Sequence, residues 1–408
     1  MQTLLNLAEL GVAAPAHGLT IGLMLKLESR EARASKNQPG LAAFLCLLAL
    51  LRPGAELRAA DQTTNSAPPF RWIDARELCV EGKGWADTRQ FYDRLPAKAE
   101  GLVRDAVWNL SHDSAGLAIR FVTDATALSA RWTLRKEVLA RPNMAESGVS
   151  GVDLYVHLNG GWRWLGAARP ERTMTPEKHL TTGMSAERRE CLLYLPLYNG
   201  VEKLEIGVPR EARCEAPPPR SKGRKPIAFY GTSIVQGCSA SRPGMAYPAI
   251  LSRHVDCTFI NLGFSGNAVC EPEIGTLLAE LDPAVYVLDP LPNMTPQAVA
   301  ERMPGLLKTL RAAHPKTPIL LVENLEVGDA QVTPSRRSSY AQSNRELRHI
   351  FEQCRRAGDH NLFYIPGSHL LGDDGEGTVD RVHPSDLGFL RMAQEMEPPL
   401  RRALRQAR

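Results

Sequence analysis

Ile227-Ala-Phe-Tyr-Gly231-Thr232-Ser233-Ile-Val-Gln-Gly237 opens as a short apolar run and turns, at a glycine, onto a hydroxyl. A run this brief, with aromatic and branched residues and turn chemistry at its end, reads as a buried strand. Four similar runs follow: Thr258–Leu262, Ala284–Leu288, Pro318–Val322 and Leu362–Ile365. Longer segments with helical character separate them, among them Pro296–Ala313 and Arg337–Arg356. Strand and helix in alternation is the pattern of βαβ units, so this half of the chain is expected to be α/β, with a parallel sheet covered by helices on both faces.

Ligands of such sheets bind beyond the carboxyl ends of the strands. Ser233 follows the first strand, Gly266 the second, Asn293 the third, and Asp380 with His383 the fifth, so all five are expected at one edge. A serine hydroxyl is a poor nucleophile until a base takes its proton, and His383 is suited to that task. Asp380, three residues earlier, could accept from the other ring nitrogen and fix the tautomer. An acyl-transfer intermediate carries an oxyanion, for which the N–H groups of Ser233 and Gly266 and the amide of Asn293 are the candidate donors. The alternative for Asn293 is a helix cap before Thr295-Pro296. Glu323 lies at the same edge after the fourth strand, and His369 is a rival base in the last connection.

Upstream, from about Trp72 to Val208, short strands alternate with turns and no helix-length periodicity intervenes. Leu117–Val122, Leu128–Leu134, Val152–Leu158, Cys191–Leu197 and Val201–Val208 are the strands, with Asn159-Gly160-Gly161 and Asn199-Gly200 as turns. That predicts an all-β sandwich of jelly-roll type. Trp162 and Trp164 read as core residues rather than as a sugar-stacking platform. The stretch 212–226 holds Pro217-Pro218-Pro219 among small and basic residues and reads as a linker. The expected organisation is a leader over 1–60, the β-sandwich domain over 61–211, the linker over 212–226 and the α/β domain over 227–408.

Four ordered blocks carry a family resemblance: Gly231-Thr-Ser-Ile-Val-Gln-Gly237, Asn261-Leu-Gly-Phe-Ser-Gly-Asn267, Asp289-Pro-Leu-Pro-Asn293 and Asp380-Arg-Val-His-Pro384. In that order they resemble the signature blocks of the SGNH (GDSL-like) hydrolases over roughly residues 225 to 405. The resemblance implies a flavodoxin-like three-layer sandwich, a triad of Ser233, His383 and Asp380, and an oxyanion hole of Ser233, Gly266 and Asn293. The usual Gly-Asp-Ser is here Gly-Thr-Ser, and the usual Gly-x-Asn-Asp is Leu-Pro-Asn-Met. Gly151-Val-Asp-Leu-Tyr155 matches the Gly-x-Asp-Leu-Tyr motif of a β-sandwich domain that precedes one branch of these hydrolases. Two-domain carbohydrate esterases share that arrangement, which implies a serine esterase acting on small acyl esters, most often acetyl, on a saccharide. An acyltransferase with the same triad, or a carbohydrate-binding protein without turnover, are the alternatives.

Composition narrows the remaining classes. The formal net charge is +4 over 408 residues and no basic run is interleaved with aromatics, which argues against nucleic acid as a partner. Leu41–Leu51 is an apolar run after Lys26, Arg30, Arg33 and Lys36, and small residues follow it. It reads as a secretory signal peptide, with Met24 as a candidate start and an exported, periplasmic or extracellular product. It is shorter than the roughly 20 apolar residues a membrane helix needs, and no later stretch is apolar enough to span. Outside the leader the cysteines are 79, 191, 214, 238, 257, 270 and 354, without metal-ligand spacing, and read as buried thiols with at most one or two bridges. No cofactor or metal is called for. The G-x-S-x-G elbow of α/β-hydrolases and the phosphate-binding P-loop are both missing.

Overall fold

In a computed structural model, the run that ends on Ser233 is a central strand of a parallel sheet. The structure describes residues 70–220, 224–327, 329 and 332–407, so the expected signal segment lies outside the described residues.

The N-terminal lobe is built from β1 (Phe70–Asp74), β2 (Cys79–Glu81), α1 (Asp105–Ser111), β3 (Ala118–Thr123), β4 (Ala127–Leu134), α2 (Glu146–Val149), β5 (Val152–Leu158), β6 (Gly161–Ala168), β7 (Met174–Thr182), β8 (Arg189–Tyr194), β9 (Val201–Pro209) and β10 (Cys214–Glu215). Two antiparallel sheets form, in the orders β1-β9-β4-β7 and β10-β3-β8-β5-β6, with β2 alongside β3. Phe121, Trp132, Leu154, Leu193 and Ile206 fill the space between them. The lobe is thus a β-sandwich. Several details depart from the sequence reading. α1 is a helix where none was expected; at seven residues it is too short to show a periodicity. β8 ends at Tyr194 rather than Leu197, since Pro196 cannot donate to a ladder. Trp164 is 53% exposed instead of being core: its indole N–H donates to Asp153 Oδ1 at 2.9 Å and Arg242 lies over its ring.

The C-terminal lobe alternates β11 (Ile227–Gly231), α3 (Ser233–Gln236), α4 (Tyr247–Val255), β12 (Phe259–Gly263), α5 (Pro272–Ala279), β13 (Val285–Asp289), α6 (Pro296–Ala313), β14 (Ile319–Val322), α7 (Pro334–Arg356), β15 (Leu362–Ile365) and α8 (Asp386–Gln406). The five strands are parallel in the order β12-β11-β13-β14-β15, the flavodoxin-like order. Side chains alternate across β11: Ile227 and Phe229 pack with α4 and α8, while Ala228 and Tyr230 pack with α5, α6 and α7. No helix among the described residues is long and apolar enough to cross a membrane. The seven described cysteines are free thiols.

The two lobes share one core. Met144, Val149, Tyr155, Leu192, Tyr194, Leu197 and Tyr198 of the sandwich lie in the same apolar cluster as Ile234, Cys238, Tyr247 and Phe389. The Gly151-Val-Asp-Leu-Tyr155 motif supplies the polar part of that junction. Asp153, fully buried, accepts from Arg242 at 2.8 Å and from the Gly244 N–H at 2.8 Å, and Arg253 lies over the Tyr155 ring at 4.0 Å.

Candidate active site

Gly231, the last residue of β11, is in register with Gly263 on β12 and Asp289 on β13, so the segments after these strands leave the sheet side by side. The connection from β11 to β12 runs over one face and that from β12 to β13 over the other, which makes the carboxyl edge beside β11 the switch point of the sheet. Ser233 begins α3 there, only 7% exposed. Thr232 caps the turn, its hydroxyl accepting from the Ile234 N–H at 3.3 Å, and Gly237 ends it in the left-handed region at φ 103°. Gly263 is required by close approach: a Cβ there would stand 2.2 Å from the Gln236 nitrogen.

The sequence-separated residues meet. Ser233 Oγ lies 2.9 Å from His383 Nε2, and His383 Nδ1 lies 2.8 Å from Asp380 Oδ2. Asp380 Oδ1 accepts from the N–H groups of Val382 at 3.1 Å and His383 at 2.8 Å, a tight loop that takes Arg381 to φ 68°. His369 pairs instead with Asp373 at 3.5 Å. Glu323 is buried and committed to Tyr364, Arg348 and the Gly367 N–H.

On the oxyanion side, Gly266 sits at φ 71°, a backbone that suits glycine. Neither the Ser233 nor the Gly266 N–H donates to another backbone carbonyl among the described residues. Asn293 closes a 3-10 turn, Leu291–Asn293, and does not cap α6; Thr295 does, accepting from Ala298 at 3.2 Å. Hydrogen bonding assigns the Asn293 amide oxygen to the N–H groups of Asn267 at 3.0 Å and Ala268 at 3.2 Å, which leaves its NH2 as a donor. The blocks are also braced together. Gln236 accepts from the Ser265 N–H at 3.1 Å and donates to the Leu197 carbonyl at 3.0 Å and to buried Asp113 at 3.1 Å.

Electrostatics separate the two ionisable partners. Burial alone would raise the Asp380 carboxyl, but hydrogen bonds from the His383 N–H and ring and from Asn143 outweigh it and bring it down to about 2. Burial would lower the His383 imidazole; contact with Cys238 and then with Asp380 reverses this and pushes it up to about 9. Cys238 is held below its usual thiol value by His383 despite its burial. Sequence reading missed Cys238 and Asn143. Cys238 follows the αL residue Gly237, and its N–H donates to the Ser233 carbonyl at 2.9 Å, so its closeness to Ser233 in the chain was the available signal. Asn143 had none.

A doubly wound sheet that brings serine, imidazole and carboxylate together at its carboxyl edge, behind a β-sandwich lobe, defines an ester hydrolase of the SGNH type. The chain belongs to the GDSL-like lipase/acylhydrolase family, whose model matches residues 224–401, and the model for the GxDLY N-terminus of SGNH-hydrolase-type esterases matches residues 70–214. A crystal structure from Bacteroides ovatus ATCC 8483, described as a GDSL-like lipase, is 36% identical, with a TM-score of 0.78 over 83% of this chain and 98% of that one. The salicylyl-acyltransferase SsfX3 of a tetracycline biosynthetic pathway shares the fold at 17% identity, with a TM-score of 0.67 over 82% of this chain and 97% of that one. A family two carbohydrate esterase from Cellvibrio japonicus shares it at 14% identity, with a TM-score of 0.54 over 83% and 99% of the two chains. No curated protein matches the chain.

Proposed function

We propose that the protein is an exported serine esterase that removes small acyl groups, acetyl foremost, from a carbohydrate through an acyl-Ser233 intermediate. The observation that carries this reading is the continuous chain of contacts from Ser233 Oγ through both nitrogens of His383 to Asp380. Ser233 Oγ attacks the ester carbonyl carbon, its proton passing to His383 Nε2 as the new C–O bond forms. The oxyanion is met by the Ser233 and Gly266 N–H groups and the Asn293 NH2. Collapse breaks the bond to the leaving alkoxide, which takes the proton from Nε2. Water, giving its proton to the same nitrogen, then attacks the acyl carbon; the bond from that carbon to Oγ breaks, Oγ takes the proton back from Nε2, and the acid and free Ser233 are released. Asp380 touches no substrate atom; it holds the ring in the tautomer that presents Nε2 to the serine.

The saccharide is suggested by the family two carbohydrate esterase that shares this two-lobe fold. The same chemistry with an alcohol in place of water is acyl transfer, which the shared fold of the salicylyl-acyltransferase keeps as the second reading. We assign residues 61–211 to the sandwich domain, 212–226 to the connection and 227–408 to the hydrolase domain.

Purified protein is expected to release p-nitrophenol from p-nitrophenyl acetate and acetate from one or more acetylated polysaccharides in a panel. Ser233→Ala should lower turnover by at least about 10³-fold without loss of fold. Equal turnover by both proteins would overturn the mechanism, and acyl products on an added sugar in place of free acetate would favour transfer.

A further inference from the structure

A carboxylate offers about four acceptor positions, and those of Asp380 are all used. Oδ1 serves its own loop, through the N–H groups of Val382 and His383 at 3.1 and 2.8 Å. Oδ2 takes His383 Nδ1 at 2.8 Å and, from the other lobe, the side-chain NH2 of Asn143 at 2.8 Å. Among the described residues, Asn143 is the one recorded donor to this carboxylate from outside the loop 380–383.

The turn that carries Asn143 is built to hold it. The backbones of Arg141 and Met144 exchange hydrogen bonds of 2.8 and 3.0 Å around it, and Pro142 restricts its approach. Arg141 lies 4.4 Å over the ring of Tyr198, Met144 is buried in the cluster that contains Cys238 and Ala240, and Ser147 Oγ donates to the Ser241 carbonyl at 2.6 Å. The same Asn143 NH2 stands 3.6 Å from Cys238 Sγ. An amide fixed on three sides is therefore aimed at the oxygen that orients the histidine.

The geometry points to Asn143 as a positioning residue of the hydrolytic site, by which the N-terminal lobe fixes the Asp380 carboxylate against His383 Nδ1. This rests on the reading of Ser233, His383 and Asp380 as the reacting set. When the imidazole takes the serine proton it becomes a cation, and its stabilisation depends on a carboxylate that stays in line with Nδ1. The Asp380 side chain is 34% exposed and stands on a loop, so without Asn143 its Oδ2 is free to turn toward water. The sandwich lobe is on this account part of the catalytic apparatus rather than an appended module.

The test compares Asn143→Ala, Asn143→Asp and Ser233→Ala with wild type, using p-nitrophenyl acetate and a thermal melt. Hydrogen bonds to charged groups carry enough energy for kcat to fall roughly 10- to 100-fold in Asn143→Ala while KM stays within about threefold. Asn143→Asp has the same shape but offers an acceptor where a donor is needed, so it should lose at least as much kcat with its melt unchanged. If Asn143→Ala lowers kcat and Asn143→Asp restores it, the side chain only fills space and the inference is overturned. Wild-type kcat in both variants alongside an inactive Ser233→Ala overturns it too, leaving the esterase reading intact. An active Ser233→Ala would instead remove the reading on which it rests.

Discussion

On the proposed mechanism Ser233 depends on what stands behind it, and the decisive group is an imidazole whose basicity is set by two neighbours. His383 acts as a base only when neutral, so kcat/KM should rise with pH and level off above the folded-state value of the ring. That value is raised by Cys238 and Asp380 from an ordinary 6.5 to about 9, which places the rising limb on the alkaline side of neutrality. Cys238→Ala removes the larger of the two raising influences, so the limb should move to lower pH. A pH profile of p-nitrophenyl acetate hydrolysis for both proteins checks this; an unmoved or upward-moving limb would contradict it. Cys238 also shows what single residues conceal. A buried thiol reads from sequence as filler, and only the folded loop after α3 brings it against a histidine more than a hundred positions away.

At the scale of elements, the sequence was most legible where each strand buries both faces. β15 has the expected limits and β11 to β14 differ by a residue or so at their ends, because a continuous apolar run between turn residues has few alternative readings; α6 also has its expected limits. The sandwich was less legible. β7, Met174–Thr182, is largely polar and exposed, so its pattern resembled a loop, and α1 was too short to announce itself. All five expected site residues were placed by the strand each follows; what the strand end did not show for Asn293 is its 3-10 turn, which lies in the departure from the usual family block. The Asp-Leu-Tyr element of β5 was recognised only as a signature, whereas the fold gives it a mechanical role. Asp153 binds Arg242 and the Gly244 N–H on the loop after α3. Asp153→Ala would leave that guanidinium without its buried partner, at a cost of about 3 kcal/mol. Denaturant unfolding measures this, and a change under about 1 kcal/mol would speak against the clamp.

At the scale of the molecule, the two lobes are tied by contacts that cross the boundary read from sequence. Arg94 of the sandwich lobe is buried with its guanidinium on the carbonyls of Asn261 and Gly263, at 3.0 and 2.7 Å, at the end of a sheet strand in the other lobe. With the shared apolar cluster, this makes the described residues of the two lobes one compact unit. Calorimetry on the full chain should therefore show a single transition for the two lobes, with equal calorimetric and van't Hoff enthalpies; two separable transitions would contradict the shared core. Such long-range contacts are invisible to local pattern, because nothing in Arg94 or Asn143 marks the partner it will meet. Wild-type protein mixed rapidly with p-nitrophenyl acetate, quenched in acid and mapped by peptide mass spectrometry should carry an acetyl group on Ser233. Release of p-nitrophenol with Ser233 unmodified and the acetyl group on another residue would contradict it.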